Sequence, residues 1–156
     1  MKICVLGAGS LGSAIGGKLA ESGHEVCLIN RNQSFVDAVN RDGLRLVEDG
    51  RERSVRLAAA RTPEGLTPVD LVIVLVKSFD TRSAAESARH LAGPETMVMS
   101  LQNGLGHEDI LSDVFGQRHV LAGKTYVGGL MTAPGVISMG VRGKETIFGE
   151  LDGTLS

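Results

Sequence analysis

The chain has 156 residues, which fits one domain and leaves little room for a second of ordinary size. Its formal net charge is −2, so it has no basic excess with which to neutralise a nucleic-acid backbone or an anionic membrane surface. The longest apolar run, Leu71–Val76, is far shorter than the roughly 20 residues of a membrane helix. Nucleic acid and membranes are therefore not expected as partners.

The cysteines and histidines predict neither a disulfide framework nor a metal site. Cys4 and Cys27 lie in apolar runs, where cysteine usually behaves as a small buried hydrophobe. No histidine has metal-ligand spacing with a cysteine or carboxylate partner. No signal peptide precedes the first predicted strand, which begins at Lys2, so we expect a cytoplasmic protein with reduced thiols.

The first thirty residues predict one strand-helix-strand unit. Its predicted parts are a strand at Lys2–Leu6, a helix with Ser10 as candidate N-cap that runs up to Gly23, and a strand at Glu25–Ile29. Gly16 and Gly17 inside this helix should each cost about 1 kcal/mol relative to alanine. Their presence predicts that the helix packs unusually close to the sheet.

The rest of the chain alternates strands and helices. Predicted in chain order are a helix at 35–40, a hairpin of strands 44–47 and 54–57 around 48–50, a strand at 71–76, a helix at 81–91, a strand at 97–100, a helix at 108–115 and a strand at 119–127. The last strands, 136–138 and 145–148, are expected to pair with each other. This order predicts an α/β fold: a Rossmann-like, doubly wound, mostly parallel sheet with an antiparallel C-terminal strand pair.

A glycine-rich turn follows the first predicted strand and opens the first predicted helix. It reads Gly7-Ala8-Gly9-Ser10-Leu11-Gly12 and matches the G-x-G-x-x-G pattern of dinucleotide sites. Gly7 would permit the tight turn, Gly9 would let a pyrophosphate approach, and Gly12 would let the helix approach the strand. The turn therefore predicts an anion site at a helix N-terminus.

The end of the second predicted strand favours NADP over NAD. An NAD site usually has a carboxylate there to accept from the ribose 2′-hydroxyl, whereas this chain has Asn30-Arg31-Asn32. Arg31 offers a planar cation to a 2′-phosphate. The alternatives are a solvated surface arginine and, for Asn30, ordinary loop chemistry.

Two further polar residues follow predicted strands at the edge where open α/β sheets bind ligands. Lys77 closes the strand at 71–76, and Asn103 lies in the Gln102-Asn103-Gly104 triplet after the strand at 97–100. A lysine leaving the sheet for water and an ordinary Asn-Gly turn are the alternatives. His107 lies on the same side and could simply begin the next helix.

Together these residues resemble the N-terminal domain of the ketopantoate reductase (2-dehydropantoate 2-reductase) family. The resemblance rests on the glycine-rich turn, Asn30-Arg31, the hairpin at 44–57, Lys77, Gln102-Asn103-Gly104 and the glycine-rich stretch at 123–149. It covers essentially the whole chain. It implies NADPH-dependent reduction of a 2-oxo acid to a 2-hydroxy acid, which in pantothenate biosynthesis is ketopantoate to pantoate.

The resemblance also implies roles for single residues. Arg31 would meet the 2′-phosphate, Lys77 would line the nucleotide site, and Asn103 would be the catalytic residue beside the nicotinamide ribose and the substrate. Gly128 and Gly129 fall where the family has small residues near the nicotinamide. Asp80 departs from the family, because some relatives carry a polar amide there close to the phosphate.

A second departure is the expected absence of a helical C-terminal domain. In the family that domain supplies a lysine general acid and the groups that hold the substrate. We expect residues 1–156 to be a single dinucleotide-binding domain without that domain and inactive alone; Lys124, in a predicted strand, is a conceivable substitute donor. A different 2-oxo acid substrate, or a non-catalytic NAD(P)-binding sensor or partner-dependent module, are the alternatives. A face left by the missing domain could drive self-association through Leu130, Met131, Val136, Ile137 and Met139.

Overall fold

The computed structural model describes residues 1–140 and 145–153, and these residues contain eleven strands and four α-helices. The helices are α1 (Ser10–Glu21), α2 (Gln33–Asp42), α3 (Thr81–Ser87) and α4 (His107–Phe115). The strands are β1 (Lys2–Leu6), β2 (Glu25–Ile29), β3 (Leu44–Glu48), β4 (Arg51–Val55), β5 (Ala58–Ala60), β6 (Val69–Val74), β7 (Ala92–Ser100), β8 (Val120–Thr125), β9 (Gly129–Ala133), β10 (Val136–Met139) and β11 (Thr146–Glu150).

The main sheet has seven strands in the order β11-β8-β7-β6-β1-β2-β5. All neighbours in it are parallel except β11, which runs antiparallel to β8. The predicted fold class is confirmed, since the sheet is mostly parallel with an antiparallel strand at its C-terminal edge. The strand order reverses between β1 and β6, where doubly wound folds bind ligands.

The predicted pairing partner of the C-terminal strands is wrong. The residues predicted as one partner, 136–138, lie in β10, which pairs antiparallel with β9 and parallel with β3. The other partner, β11, pairs with β8, and the Thr125 and Thr146 hydroxyls hydrogen-bond across that pair at 2.8 Å. Ile137 of β10 is fully buried in the same core as Ala14 of helix α1. This burial decides the partner of β10, and the alternation of residues along a strand cannot reveal it.

β10 belongs to a second, four-stranded sheet that the sequence did not predict. Its order is β4-β3-β10-β9, and it contains the predicted hairpin. Asp49 and Gly50 both have positive φ, which is the two-residue turn that favours Asp-Gly. The second strand of the hairpin begins at Arg51, earlier than predicted, because the tight turn pairs Glu48 directly with Arg51.

Helix α1 lies between the two sheets, and its glycines make this possible. A Cβ on Gly16 would be 2.5 Å from Leu28 Cδ2 in β2. A Cβ on Gly17 would be 2.9 Å from Leu44 Cδ2 in β3 and 3.1 Å from the Leu46 methyls. The close approach that these glycines predict is therefore confirmed on the main sheet and extends to the second sheet.

The remaining helices cover the two faces of the main sheet. The face that carries Val5 and Leu28 packs on α1, α2 and the second sheet, with Phe35 buried there. The opposite face, which carries Cys4 and Val72, packs on α3 and α4. The predicted helix 81–91 is split, since α3 ends at Ser87 and a short 3₁₀ turn follows at 89–91.

The predicted self-association face is wrong for two of its five residues. Val136 and Ile137 are core residues, because helix α1 covers β10. Leu130 is 65% exposed, whereas Met131 and Met139 are half-buried against the same core. None of the described helices has both the length and the apolar character needed to span a bilayer.

The tight seat of α1 predicts a large cost for filling it. Gly17→Val should lower the free energy of unfolding by about 1–3 kcal/mol, because the new methyl groups collide with Leu44 and Leu46. Gly149→Val in β11 is the matched control, since nothing lies within 4 Å of its added Cβ. Urea unfolding of both variants measures the difference, and equal stabilities would contradict the packing described here.

Cys4 predicts a loss of stability at alkaline pH. Burial, with a smaller contribution from the neighbouring Cys27, raises the pKa of the Cys4 thiol from about 9 to about 12. Between these values the unfolded chain loses this proton and the folded chain keeps it, so the free energy of unfolding falls as pH rises. Cys4→Ala should show a shallower fall than the wild type in urea unfolding between pH 9 and 12; parallel curves would contradict it.

Candidate functional site

A cavity of about 830 Å³ opens at the carboxyl ends of β1, β2, β6 and β7. Its walls come from the glycine-rich turn, from the segments that follow these strands, and from the first turns of α3. It therefore lies where the strand order of the main sheet reverses. The sequence placed its candidate residues at this edge, and the fold brings most of them into one cavity.

The three glycines of the turn have separate physical roles. Gly7 has φ +93°, and a Cβ there would be 2.5 Å from the Val76 backbone nitrogen. A Cβ on Gly12 would be 2.5 Å from the Gly7 carbonyl oxygen. Nothing lies within 4 Å of a Cβ on Gly9, which faces open space. Two of the glycines are thus required by the fold, and the third leaves space that a ligand can fill.

Side chains on both sides hold the turn in place. The Ala8 carbonyl accepts from Asn30 Nδ2 at 2.7 Å and from the buried Ser13 hydroxyl at 3.0 Å. Asn30 Oδ1 in turn accepts from the Asn32 backbone at 2.9 Å. Both ends of the Asn30 amide are therefore engaged with the backbone, and this residue positions the turn.

Ser10 differs from its predicted role as N-cap. Gly9 occupies the N-cap position without a side-chain cap, and Ser10 is the first residue of α1. The Ser10 hydroxyl accepts from the Met131 backbone N–H at 2.9 Å, which ties the second sheet to the turn. With no cap, the first N–H groups of α1 keep free hydrogen-bonding capacity toward the cavity.

Arg31 lies at the cavity wall and forms an ion pair that the sequence did not predict. Its Nη2 is 2.5 Å from Asp80 Oδ2, across the mouth between the segments that follow β2 and β6. Arg31 is 80% exposed at its side chain and Asp80 is 21% exposed. Because the arginine of this pair is open to solvent, the pair contributes about 0–1 kcal/mol, and a ligand can open it.

Lys77 and Asn103 also line the cavity, and both are exposed. β6 ends at Val74, so Lys77 lies in the loop beyond the strand, ahead of the 3₁₀ turn Ser78–Asp80. The Asn103 carbonyl accepts from His107 Nε2 at 3.0 Å. His107 begins α4 and is buried, and its Nδ1 has no partner among residues 1–140 and 145–153.

Gln102 fixes the loop that carries Asn103. Its Nε2 donates to the Val76 carbonyl at 2.8 Å and to the Thr81 hydroxyl at 2.9 Å. Its Oε1 accepts from the Ser100 hydroxyl at 3.1 Å. The residue therefore joins the segments after β6 and β7 to the start of α3, a role that its place in a Gln-Asn-Gly triplet does not disclose.

Gly128 and Gly129 are not among the residues that line this cavity, and Gly129 packs against the start of α1. A Cβ on Gly129 would be 3.0 Å from Ala14 Cβ and 3.3 Å from the Ser10 carbonyl. The Gly128 carbonyl accepts from the Gly140 N–H at 2.8 Å, and a Cβ on Gly128 would meet nothing within 4 Å. Gly129 is thus required for packing, whereas Gly128 has open space at its side.

The remaining predicted cofactor residues share the one cavity: Gly7, Ala8, Gly9, Ser10, Leu11, Gly12, Asn30, Arg31, Lys77 and Asn103. Arg61, after β5, lines it as well and was missed, because an arginine after a three-residue edge strand carries no motif. Lys124 lies in β8 with its ammonium 5.0 Å from the centre of the Tyr126 ring. In the part of the chain that the structure describes, no group of three or more potential metal-ligating side chains is found.

The fold is a Rossmann-like α/β domain with a glycine-rich turn where the strand order of its main sheet reverses. A family model described as "Ketopantoate reductase PanE/ApbA" matches residues 3–153. The chain therefore belongs to the ketopantoate reductase family, which uses NADPH.

Individual relatives agree with this assignment. The chain is 41% identical over 149 residues to a 2-dehydropantoate 2-reductase of Halobacterium salinarum, a match that covers 94% of this chain and 48% of the relative. A PanE/ApbA family ketopantoate reductase from Ralstonia eutropha has a TM-score of 0.86 and 37% identity, covering 95% of this chain and 49% of that chain. A ternary structure of D-mandelate dehydrogenase with NADH and anilino(oxo)acetate has a TM-score of 0.85 and 29% identity, with coverages of 95% and 47%. The chain spans about half the length of the curated relatives it matches.

The Gln102 contacts predict different effects for neighbouring substitutions. Gln102→Leu should lower the free energy of unfolding by about 1–3 kcal/mol, since it removes the donor to the Val76 carbonyl and one of the two partners of the Thr81 hydroxyl. Asn103→Leu should change it little, because the side chain of Asn103 is exposed. Thermal and urea unfolding of the two variants check this; a larger loss for the Asn103 variant would contradict the assignment.

Proposed function

We propose that this chain binds NADPH in the cavity at the carboxyl edge of the main sheet, as the cofactor-binding part of a reductase acting on a 2-oxo acid. The observation that carries the proposal is the open space at Gly9 directly before the uncapped N-terminus of α1. A pyrophosphate fits there because its charge complements the free N–H groups and the helix dipole. Family membership supports the choice of cofactor.

Each cavity residue then has a defined part in holding the cofactor. The backbone N–H groups of 10–12 would bind the pyrophosphate, while Asn30 keeps the turn in shape through Ala8. Arg31 would bind the 2′-phosphate, exchanging its Asp80 partner for the ligand. Lys77 would line the nucleotide site. Gly128 and Gly129 lie outside the cavity lining, so the nicotinamide would have to extend beyond that lining to border them.

The reaction proposed is reduction of the keto group, most specifically 2-dehydropantoate to pantoate. NADPH supplies the hydride when bound. Asn103 would contact the nicotinamide ribose and the substrate, held in place by Gln102 and by the His107 bond to its carbonyl. Orientation of this kind lowers the barrier by fixing the keto carbon against its reaction partner.

A proton donor must also reach the oxygen of the substrate. The resemblance places that donor, a lysine, in the helical domain of the family. We therefore propose that the 156 residues bind NADPH but do not turn over 2-dehydropantoate alone. An assay of NADPH oxidation at 340 nm checks this, and turnover by the purified chain would contradict it.

A second candidate keeps the chemistry and changes the substrate. The similarity to a D-mandelate dehydrogenase solved with NADH and anilino(oxo)acetate makes a 2-oxo acid other than dehydropantoate the second candidate. The same cavity would hold the cofactor in both cases. Comparing the binding of several 2-oxo acids to the NADPH-loaded chain would separate the two.

Gly9 offers the sharpest test of the cofactor site. Gly9→Ala should leave stability unchanged, because the new methyl group meets nothing within 4 Å and φ is −73°. It should weaken NADPH binding by about 10-fold or more, because the methyl group occupies the space assigned to the pyrophosphate.

The matched control is Gly149→Ala, which also adds a methyl group in open space but on β11. Isothermal titration calorimetry with NADPH gives the affinities, and thermal unfolding verifies the fold of each variant. If Gly9→Ala binds NADPH as tightly as the control, the pyrophosphate does not lie at this turn.

A further inference from the structure

Two arginines lie together in the part of the cavity beyond β2. Arg31 follows β2 and Arg61 follows β5, and both line the cavity. β2 and β5 are adjacent parallel strands with Ile29 opposite Ala60, so their carboxyl ends bring the two arginines side by side. Arg61 Nε donates to the Arg31 carbonyl at 3.3 Å.

Arg31 does not present its full charge to the cavity. Asp80 lies 2.5 Å from its guanidinium and lines the same wall. A bound phosphate can displace the carboxylate from Arg31, but the carboxylate stays near the phosphate and repels it. Arg31 alone therefore gives a weaker phosphate site than an arginine without a carboxylate neighbour.

The guanidinium of Arg61 is more available to a phosphate than that of Arg31. Its described hydrogen bond uses Nε, which leaves both terminal nitrogens of the guanidinium for a ligand. Among residues 1–140 and 145–153 no carboxylate forms an ion pair with Arg61, although Glu64 also lines the cavity. The planar fork of an arginine suits two oxygens of one phosphate.

We propose that Arg61 is a second binding residue for the 2′-phosphate of the dinucleotide, sharing it with Arg31, whose charge Asp80 partly offsets. The inference rests on the proposed function, because it assigns a specificity-determining residue to the same site. Arg61 then contributes to the preference for NADPH over NADH and leaves the binding of the shared part of the two cofactors unchanged.

The test compares three ligands: NADPH, NADH and 2′,5′-ADP, which carries the phosphate without the nicotinamide. Calorimetric titration of Arg61→Gln should show a loss of affinity of about 10-fold or more for NADPH and 2′,5′-ADP, and less than about 2-fold for NADH. Arg56→Gln is the matched control, because Arg56 is also exposed and donates to an arginine carbonyl, that of Arg41, outside the cavity.

Arg61→Lys separates a direct role from support of the Arg31 backbone. A lysine keeps the charge near the phosphate but loses both the guanidinium bond to the Arg31 carbonyl and the two-pronged contact, so it should keep part of the NADPH preference, clearly above that of Arg61→Gln. A preference as low as that of Arg61→Gln would overturn direct phosphate binding. Adding Asp80→Asn to Arg61→Gln should restore NADPH affinity by about 3-fold or more, and no gain would overturn the role given to Asp80.

Different results would contradict the proposed function and the inference about Arg61. If the wild type binds none of the three ligands, the proposed function is wrong. If the wild type binds NADPH in preference to NADH and Arg61→Gln keeps that preference, the proposed function stands and the inference about Arg61 is overturned. Thermal unfolding of each variant confirms that the fold is intact.

Discussion

The close approach of helix α1 to backbone and side chains on every side is the constraint on which the rest of this structure depends. Gly12 allows contact with the Gly7 carbonyl, and Gly16 and Gly17 allow contact with the two sheets. A side chain at Gly12 would meet backbone and push the start of α1 outward, whereas at Gly16 or Gly17 the leucine side chains of the two sheets would have to shift. The N-terminus of α1 would then leave the end of β1, and the anion site would lose its donors.

The same constraint explains the second sheet. Burial of β10 and β3 against α1 covers a helix face that a simple strand-helix-strand unit would leave in water. The Ser10 bond to Met131 then links this sheet to the glycine-rich turn. An ion-pair cluster at the other end of α1, in which Arg53 lowers the pKa of Glu21, links the helix to the hairpin. The turn is therefore supported by both sheets.

Much of this molecule is predictable from its sequence because the informative signals are local. A glycine-rich turn between a strand and a helix, and an Asp-Gly between two strands, specify their own backbone geometry. The pairing of β10 is not local: the alternation at 136–138 fits either sheet, and the choice depends on a helix far away in the chain.

The residues of the site likewise fall into those with a local sequence signal and those without one. Arg31 and Lys77 are predictable because each follows a recognisable strand at the ligand edge. Arg61 follows β5, a strand of three alanines with no distinctive pattern, and reaches the cavity only because β5 pairs with β2. The Asp80 partner of Arg31 is 49 residues away in sequence, so no spacing rule could have predicted the ion pair.

The central claim is that the cofactor lies across the glycine-rich turn at the carboxyl edge of the main sheet. Amide chemical-shift mapping of the isotope-labelled chain, which is small enough at 16.4 kDa, tests this most directly. On addition of NADPH we expect the largest shifts at Gly9, Leu11, Gly12 and Asn103, which line the cavity. Shifts concentrated instead around Arg89 and His119, at the opposite end of the sheet, would contradict it.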